Sequence, residues 1–415
     1  MRFARRVGCG LGRLLSTLIL LAGGAAGLSD PVSAQVQSQA AAGPPSPALS
    51  ACAIKVNAAP SRRQEMDAAL PPVRLQALSK GVNLTDAFSP SVSRGRLEQD
   101  VAILRKLGVR HVRIPLDPGW VLSWRPDGGP DARLGRLDST VCLALSAGLA
   151  VILDVHPEGD LALKDTAPPD TVDALARAWD RLGARYAVFT PDLMFFEALN
   201  EPALSNAGRW YAAQRILLTH IRRVAPRHTV LLTASPDSTA GALAGLTPVD
   251  DADVAYVFHF YSPMVFTHQG AEWASPNYGS VRGLVYPAER GNAAGVRDRA
   301  LAAYEKPLSN YMAAYGSANS IRAEIEVAAR WAASHNVPLV VTEFGVYGAV
   351  APRDSRAAWL RDDRRALEAH SIGWTVWEYR GGFGIDGELA RGCDVDSSIT
   401  SALGLCAAKG ASSKR

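Results

Sequence analysis

The sequence predicts an α/β fold, a (β/α)8 TIM barrel with a long insertion after its sixth strand. Three observations carry that expectation. Eight apolar, strand-like runs recur between about Leu75 and Trp377. Helix-like stretches of 3.6-residue periodicity separate them. No glycine-rich phosphate turn follows the first run, Gly81-Val82-Asn83-Leu84, which continues into Thr85-Asp86-Ala87-Phe88. An open doubly wound sheet, the competing architecture, would usually show such a turn. Strand and helix patterns that alternate this way call for parallel strands joined by crossover helices, and the span suits one barrel with insertions.

The remaining strand candidates are Val109 to Ile114, Ala150 to Val155, Leu193 to Leu199, Thr229 to Thr233, Val254 to Phe260, Pro338 to Val341 and Ile372 to Trp377. Leu97, Val101, Leu104 and Leu107 mark the first helix. Asp138 is placed to cap the second before Val141. Ile321, Ile325, Ala328 and Ala329 mark a later one, and the pattern after Thr233 is weak. Ser262 to Asn319 is rich in Gly, Pro, Tyr and Asn. A connection of that length is usually functional or disordered, and in a barrel it would stand over the active face.

The chain has 415 residues, 48% hydrophobic and 20% charged, enough to bury a sizeable core. Arg2, Arg5, Arg6 and Arg13 precede the apolar stretch Leu14 to Ala22, and Val32-Ser33-Ala34 offers a cleavage site. That layout predicts a signal peptide over residues 1–34 and an exported protein, periplasmic or extracellular. An uncleaved anchor is the alternative, although the stretch is short for a membrane span. Residues 35–50 read as a flexible linker, 51–74 as an N-terminal extension and 75–408 as the barrel domain. The formal charge is +4. Without the four arginines and Asp30 of the leader it is about +1, and no basic run or basic helix appears, so no nucleic-acid partner is expected. The chain is expected to be a monomer with no stable membrane insertion after cleavage.

Cys9 lies in the leader. Cys52, Cys142, Cys393 and Cys406 remain, an even number. Cys393 and Cys406 are near enough in sequence to close a short loop. Cys142, in an apolar helical run, suits either a buried free thiol or a bridge to Cys52. No Cys/His spacing resembles a zinc site, and neither metal nor cofactor is expected.

The strand ends carry the chemistry. Glu201, in Leu199-Asn200-Glu201-Pro202, and Glu343, in Thr342-Glu343-Phe344-Gly345, each follow an apolar run. Two carboxylates at strand ends suit a glycosidic bond: one protonates the leaving oxygen while the other attacks the anomeric carbon. Arg113 can keep Glu343 ionised, or can simply pair with Asp154. Tyr261 can donate to Glu343. A neighbouring negative charge and partial burial are expected to raise the pKa of Glu201 and keep it protonated. Asn200 can bond a sugar 2-hydroxyl, while His156 and His259 can hold hydroxyls or carboxylates. Trp377 offers a face for a pyranose ring, or packs in the barrel. Trp179, Trp331, Trp359 and Trp374 read as core.

These segments resemble glycoside hydrolase family 5, the cellulase-like retaining β-glycosidases. His111 to Pro115, Asp154 to His156, Leu199 to Pro202, His259 to Tyr261, Thr342 to Gly345 and Trp374 to Tyr379 run in the family's order over roughly residues 75–380. The resemblance implies Glu201 as acid/base and Glu343 as nucleophile, with Arg113, His156, Asn200, His259, Tyr261 and Trp377 around them. Tyr261 to Trp273 also resembles a loop of bacterial members, which makes His268 and Trp273 substrate contacts. Pro157-Glu158 after His156 departs from the pattern. The implied activity is hydrolysis of a β-linked polysaccharide, foremost an endo-β-1,4-glucanase. A β-mannanase, a β-1,3-glucanase or an exopolysaccharide-trimming enzyme of the same fold remain open. A non-catalytic carbohydrate-binding barrel is the alternative from another class. A phosphate-handling barrel would want a glycine-rich turn near the end, and Gly381-Gly382 beside Trp377 suits a sugar cleft better.

Overall fold

The computed structural model describes residues 45–58, 70–124, 131–288, 304–389 and 399–405. Eight parallel strands form one closed barrel in chain order. They are β1 (Lys80–Asn83), β2 (His111–Leu116), β3 (Ala150–Val155), β4 (Met194–Glu197), β5 (Thr229–Thr233), β6 (Val254–Phe260), β7 (Leu339–Phe344) and β8 (Gly373–Val376). Val82 of β1 pairs with Val112 of β2 on one side and Val376 of β8 on the other, which closes the ring. Parallel strands are covered on both faces, which is why they read as near-continuous apolar runs.

The helices turn their apolar stripes onto the outer face. In helix Arg94–Lys106, Leu97, Val101 and Leu104 are buried and Ser93 Oγ caps the first turn. In helix Ala318–His335 the buried stripe is Ile321, Ile325 and Ala328. The weak pattern after β5 yields only the short helix Ala240–Leu243. The second helix, Ala132–Ser146, is capped by Asp131 rather than Asp138. Asp138 sits inside that helix, where it accepts from Arg185 Nε at 2.8 Å and Tyr186 Oη at 2.9 Å. An acid in a helix interior beside a buried arginine is satisfied by the ion pair and has no free backbone N–H to cap.

The amino-terminal side differs from expectation in one respect. Helix Pro47–Asn57, capped by Ser46, begins inside the stretch read as linker. Leu49, Cys52, Ala53 and Val56 face inward from it, and Cys52 is disulfide-bonded to Cys142 of helix Ala132–Ser146. The free-thiol reading of Cys142 is thereby excluded. Residues 1–34, Cys393 and Cys406 lie outside the described residues. No helix among the described residues is long and apolar enough to cross a membrane.

Inside the barrel, Ile152, Phe195, Leu231, Val257 and Val340 form a separate apolar layer, packed with Leu70 and Leu78. Inward positions alternate along a strand, so the residues two further on enter the next layer up. Those residues are Asp154, Glu197, Thr233, His259 and Thr342. An apolar floor thus carries an ionic layer, and the site is built on it.

Candidate active site

Arg113 is the hub of the ionic layer. It is the third residue of β2 rather than its end, and it is fully buried. Its Nε and one Nη donate to both oxygens of Glu197, at 2.8 and 2.9 Å. Further bonds reach Asn83 Oδ1 at 2.9 Å, Asn200 Oδ1 at 2.9 Å and Glu343 Oε1 at 2.8 Å. Asp154 Oδ2 lies 2.9 Å away. Both readings of Arg113 therefore hold together: it pairs with Asp154 and with Glu343. Burial opposes its charge, but Asp154, Glu197 and Glu343 outweigh that and raise its pKa further. Burial pushes Glu197 up, and Arg113 only partly offsets it.

Glu343 faces inward because β7 is irregular. β7 pairs Val341 with Phe258 and Glu343 with His259, skipping Thr342. Its pairing with β8 also shifts between Val341 and Phe344. An extra residue of this kind re-aims side chains. Thr342 and Glu343 consequently both reach the interior: Thr342 Oγ1 donates to Glu197, and Glu343 takes Arg113 on one oxygen and Tyr261 Oη, at 2.9 Å, on the other. Gly345 follows because β8's continuation passes so close that a Cβ there would lie 2.3 Å from the Trp377 carbonyl.

Glu201 lies beyond β4, not at its last residue. Ala198 N and Asn200 N still donate to Leu231 and Val155, so the chain keeps station against its neighbours before turning. Glu201 then takes φ 37°, a left-handed value rare for a side-chain-bearing residue. Its carboxylate is 42% exposed toward the cleft, and His259 Nδ1 sits 2.7 Å from it. Burial acts to raise its pKa, but the hydrogen bond and charge of His259, with His156 and Arg113, lower it overall. The expectation of a raised value is overturned. It counted the charge of Glu343, which Arg113 already compensates, and not the imidazole. His259 is shifted the other way: burial lowers its pKa, yet Glu343 and Glu201 raise it on balance. Both shifts favour the charged forms of the two groups, and hence an ion pair between them.

A cavity of about 660 Å³ joins Glu201 and Glu343 with His156, Asn200, His259, Tyr261, His268, Trp273 and Trp377. All the residues singled out by sequence line it except Arg113, which lies beneath. His156 Nδ1 bonds Asp154 at 2.8 Å, its Nε2 meets Asn200 Nδ2 at 3.3 Å, and its ring stacks on Trp377. Trp273 is 63% exposed at the rim, edge-on to His268 and Tyr347 and near Phe383. Burial lowers the His268 pKa to about 4, so that ring is neutral. The donor atoms of Glu201, His259 and Glu343 lie within 4.8 Å of one another, near enough to bracket a cation. His259 Nδ1 bonds Glu201, while Glu343 is held by Arg113 and Tyr261.

Sequence reasoning missed Glu197, Asn83, Asp237, Glu324 and Phe383. Glu197 had a signal, a single acid in an otherwise apolar strand, where a charge must be paired to be buried. The other four had none.

Comparison with known proteins gives a consistent set. Endoglucanase 3 of Fibrobacter succinogenes is 30% identical over 348 aligned residues, covering 77% of this chain and 52% of that protein. The chain therefore spans about half the length of that relative. Endoglucanase C of Acetivibrio thermocellus is 25% identical over 296 aligned residues, covering 68% of this chain and 83% of the relative. The solved structure of a hyperthermophilic endo-β-1,4-glucanase in complex with substrate superposes with a TM-score of 0.63 at 25% identity, over 80% of this chain and 98% of that one. The model of the family described as cellulase, glycosyl hydrolase family 5, matches residues 70–382. That span runs from ahead of β1 to just past β8, and the chain belongs to this family.

Proposed function

We propose that the protein is an exported retaining glycoside hydrolase, an endo-β-1,4-glucanase, that cuts a polysaccharide by double displacement with Glu343 as nucleophile and Glu201 as acid/base. One observation supports this above the rest. Glu201 and Glu343 bring carboxylate oxygens within 4.8 Å of each other across one cavity. Retaining pairs stand ~5–5.5 Å apart, while inverting pairs need ~6.5–9.5 Å to seat a water. The endoglucanase names of the relatives support the substrate class.

In the first step a Glu343 oxygen bonds the anomeric carbon as the glycosidic C–O bond breaks, and Glu201 gives its proton to the departing oxygen. In the second, Glu201 takes a proton from water, the water oxygen bonds the same carbon, and Glu343 leaves. Arg113 and Tyr261 fix the attacking carboxylate. His259 Nδ1 stands 2.7 Å from Glu201 and holds the acid/base carboxyl in place. Asn200, turned by Arg113, is aimed to bond the sugar 2-hydroxyl.

Reducing-sugar release on β-1,4-glucan, β-mannan and β-1,3-glucan, with NMR of the first product, tests the reading. Release from β-1,4-glucan with the β-anomer formed first is expected. An α-anomer, or no release from any of the three, rejects it.

A further inference from the structure

One side of the cleft is assembled on the ring of Phe383, a buried residue in the turn after β8 that lines the cavity. Tyr261 and His268, both from the chain after β6, meet it edge-on at ring-centroid distances of 5.9 and 5.4 Å, and meet each other at 5.1 Å. The three rings form a closed triangle. Tyr347, after β7, and Trp273 at the rim pack on the same ring at 5.6 and 6.1 Å. Aromatic pairs at these spacings attract edge to face. Phe383 therefore touches both the residue that bonds Glu343 and the ring exposed at the rim.

The chain is bent to deliver this side chain. Glu378, just after β8, accepts from Thr85 Oγ1 at 2.7 Å and from Phe383 N at 3.5 Å. Gly381 passes over that carboxyl with φ 136°, and a Cβ there would lie 2.1 Å from Glu378 Oε1. Gly348 N donates to Gly382 O at 2.8 Å, and Arg356 donates to the Phe383 and Gly384 carbonyls. A Cβ on Gly345 would stand 3.1 Å from the Phe383 ring, so the second residue after Glu343 leaves it room.

We propose that Phe383 is a positioning residue for the nucleophile: its ring, with His268, holds Tyr261 where the hydroxyl donates to Glu343, and seats Trp273 at the rim. The inference rests on the nucleophile role proposed for Glu343. Tyr261 is only half-buried, and its ring contacts among the described residues are with His268 and Phe383. Its 2.9 Å bond to Glu343 joins a loop to a strand, so the loop ring must be held for the bond to persist. A group left loose by its supporting shell loses rate even though it is present. Without Phe383, Glu343 would keep Arg113 but hold Tyr261 only part of the time.

The test is a double-mutant cycle on dinitrophenyl β-cellobioside and on a long cello-oligosaccharide. Tyr261→Phe deletes one hydrogen bond to a charged group and should cost roughly 10–100-fold in kcat. Phe383→Ala should cost about tenfold in kcat on the short glycoside with KM little changed. The two together should be no slower than Tyr261→Phe alone, since both act through one bond. On the long substrate Phe383→Ala should lower kcat/KM further, through Trp273. Phe383→Leu keeps the buried space filled and should show the same non-additivity with a smaller loss; it decides the matter if the alanine variant does not fold. Losses that multiply in the cycle would overturn the proposal, as would full activity well below the melting temperature. A raised KM at unchanged kcat on the short glycoside would overturn it too, and would make Phe383 a sugar contact. Failure of the parent reading looks different: Glu343→Ala then hydrolyses both substrates near the wild-type rate.

Discussion

Arg113 donates to Glu343 at 2.8 Å from a side chain wholly shut away from water. The same guanidinium compensates Glu197 and Asp154. Removing one partner of a buried ion pair leaves the other's charge uncompensated, at a cost of ~3–5 kcal/mol. Arg113→Ala should therefore lower unfolding free energy by about that much and abolish activity. Arg113→Lys should fold better but stay nearly inactive, since an ammonium cannot make the bidentate bond to Glu197 and still reach Glu343. Urea unfolding beside a reducing-sugar assay checks both, and an Arg113→Lys enzyme near wild-type rate contradicts the account.

Glu343→Ala should cut turnover by a factor on the order of 10⁴ or more while the barrel stays folded. Azide should restore part of the activity on an activated aryl glycoside and give a product of inverted configuration. Anomer-resolved NMR of that product reads the outcome. Near-normal hydrolysis by the variant would show that the nucleophile is elsewhere.

Trp273 stands exposed at the rim, where a sugar next to the cleavage point can stack on it. An aromatic contact of ~0.5–1.5 kcal/mol corresponds to a loss of roughly 2–12-fold in kcat/KM for Trp273→Ala on long oligosaccharides. Short activated glycosides should lose less. A melting curve measured alongside separates the alternative, an anchor for the loop, which would lower stability and affect all chain lengths equally.

His111 is buried at the start of β2, between the Ala77 carbonyl and Thr375 Oγ1, and burial lowers its pKa from 6.5 to about 4. His228 is lowered to about 4 as well, again chiefly by burial. Between those values the unfolded chain binds protons that the folded chain refuses. The contribution of these two histidines is thus unchanged above about pH 6.5 and is lost as pH drops from 6.5 toward 4, by at most on the order of 3 kcal/mol for each. Thermal melts of wild type should decline through that window. Those of His111→Gln should decline less steeply, and parallel curves would assign the acid sensitivity to other groups.

The barrel was legible because strands covered on both faces must be apolar along their length, and each of the eight runs became a strand. The sequence singled out Glu201, Glu343, Arg113 and Tyr261 together, and the structure gathers them: three line one cavity and Arg113 lies beneath it. Three things were hidden. The extra residue at Thr342 turns Glu343 inward, and no periodicity reveals it, because it breaks the period. The charge state of Glu201 depends on an imidazole 58 positions away in sequence. Gln269, next to the cleft residue His268, bonds Phe266 and Leu284 and fastens the loop from beneath, a role its polar type does not announce.

The Cys52–Cys142 bond ties the amino-terminal helix to the outside of the barrel across 90 positions of chain. Such a tie closes only where thiols are oxidised, so the compartment of synthesis decides how much of the native molecule forms. Material made in a reducing cytosol would carry the whole cleft but a loosely held first helix. Two preparations of one sequence could then match in rate on a small substrate and differ in how long they survive heat or protease.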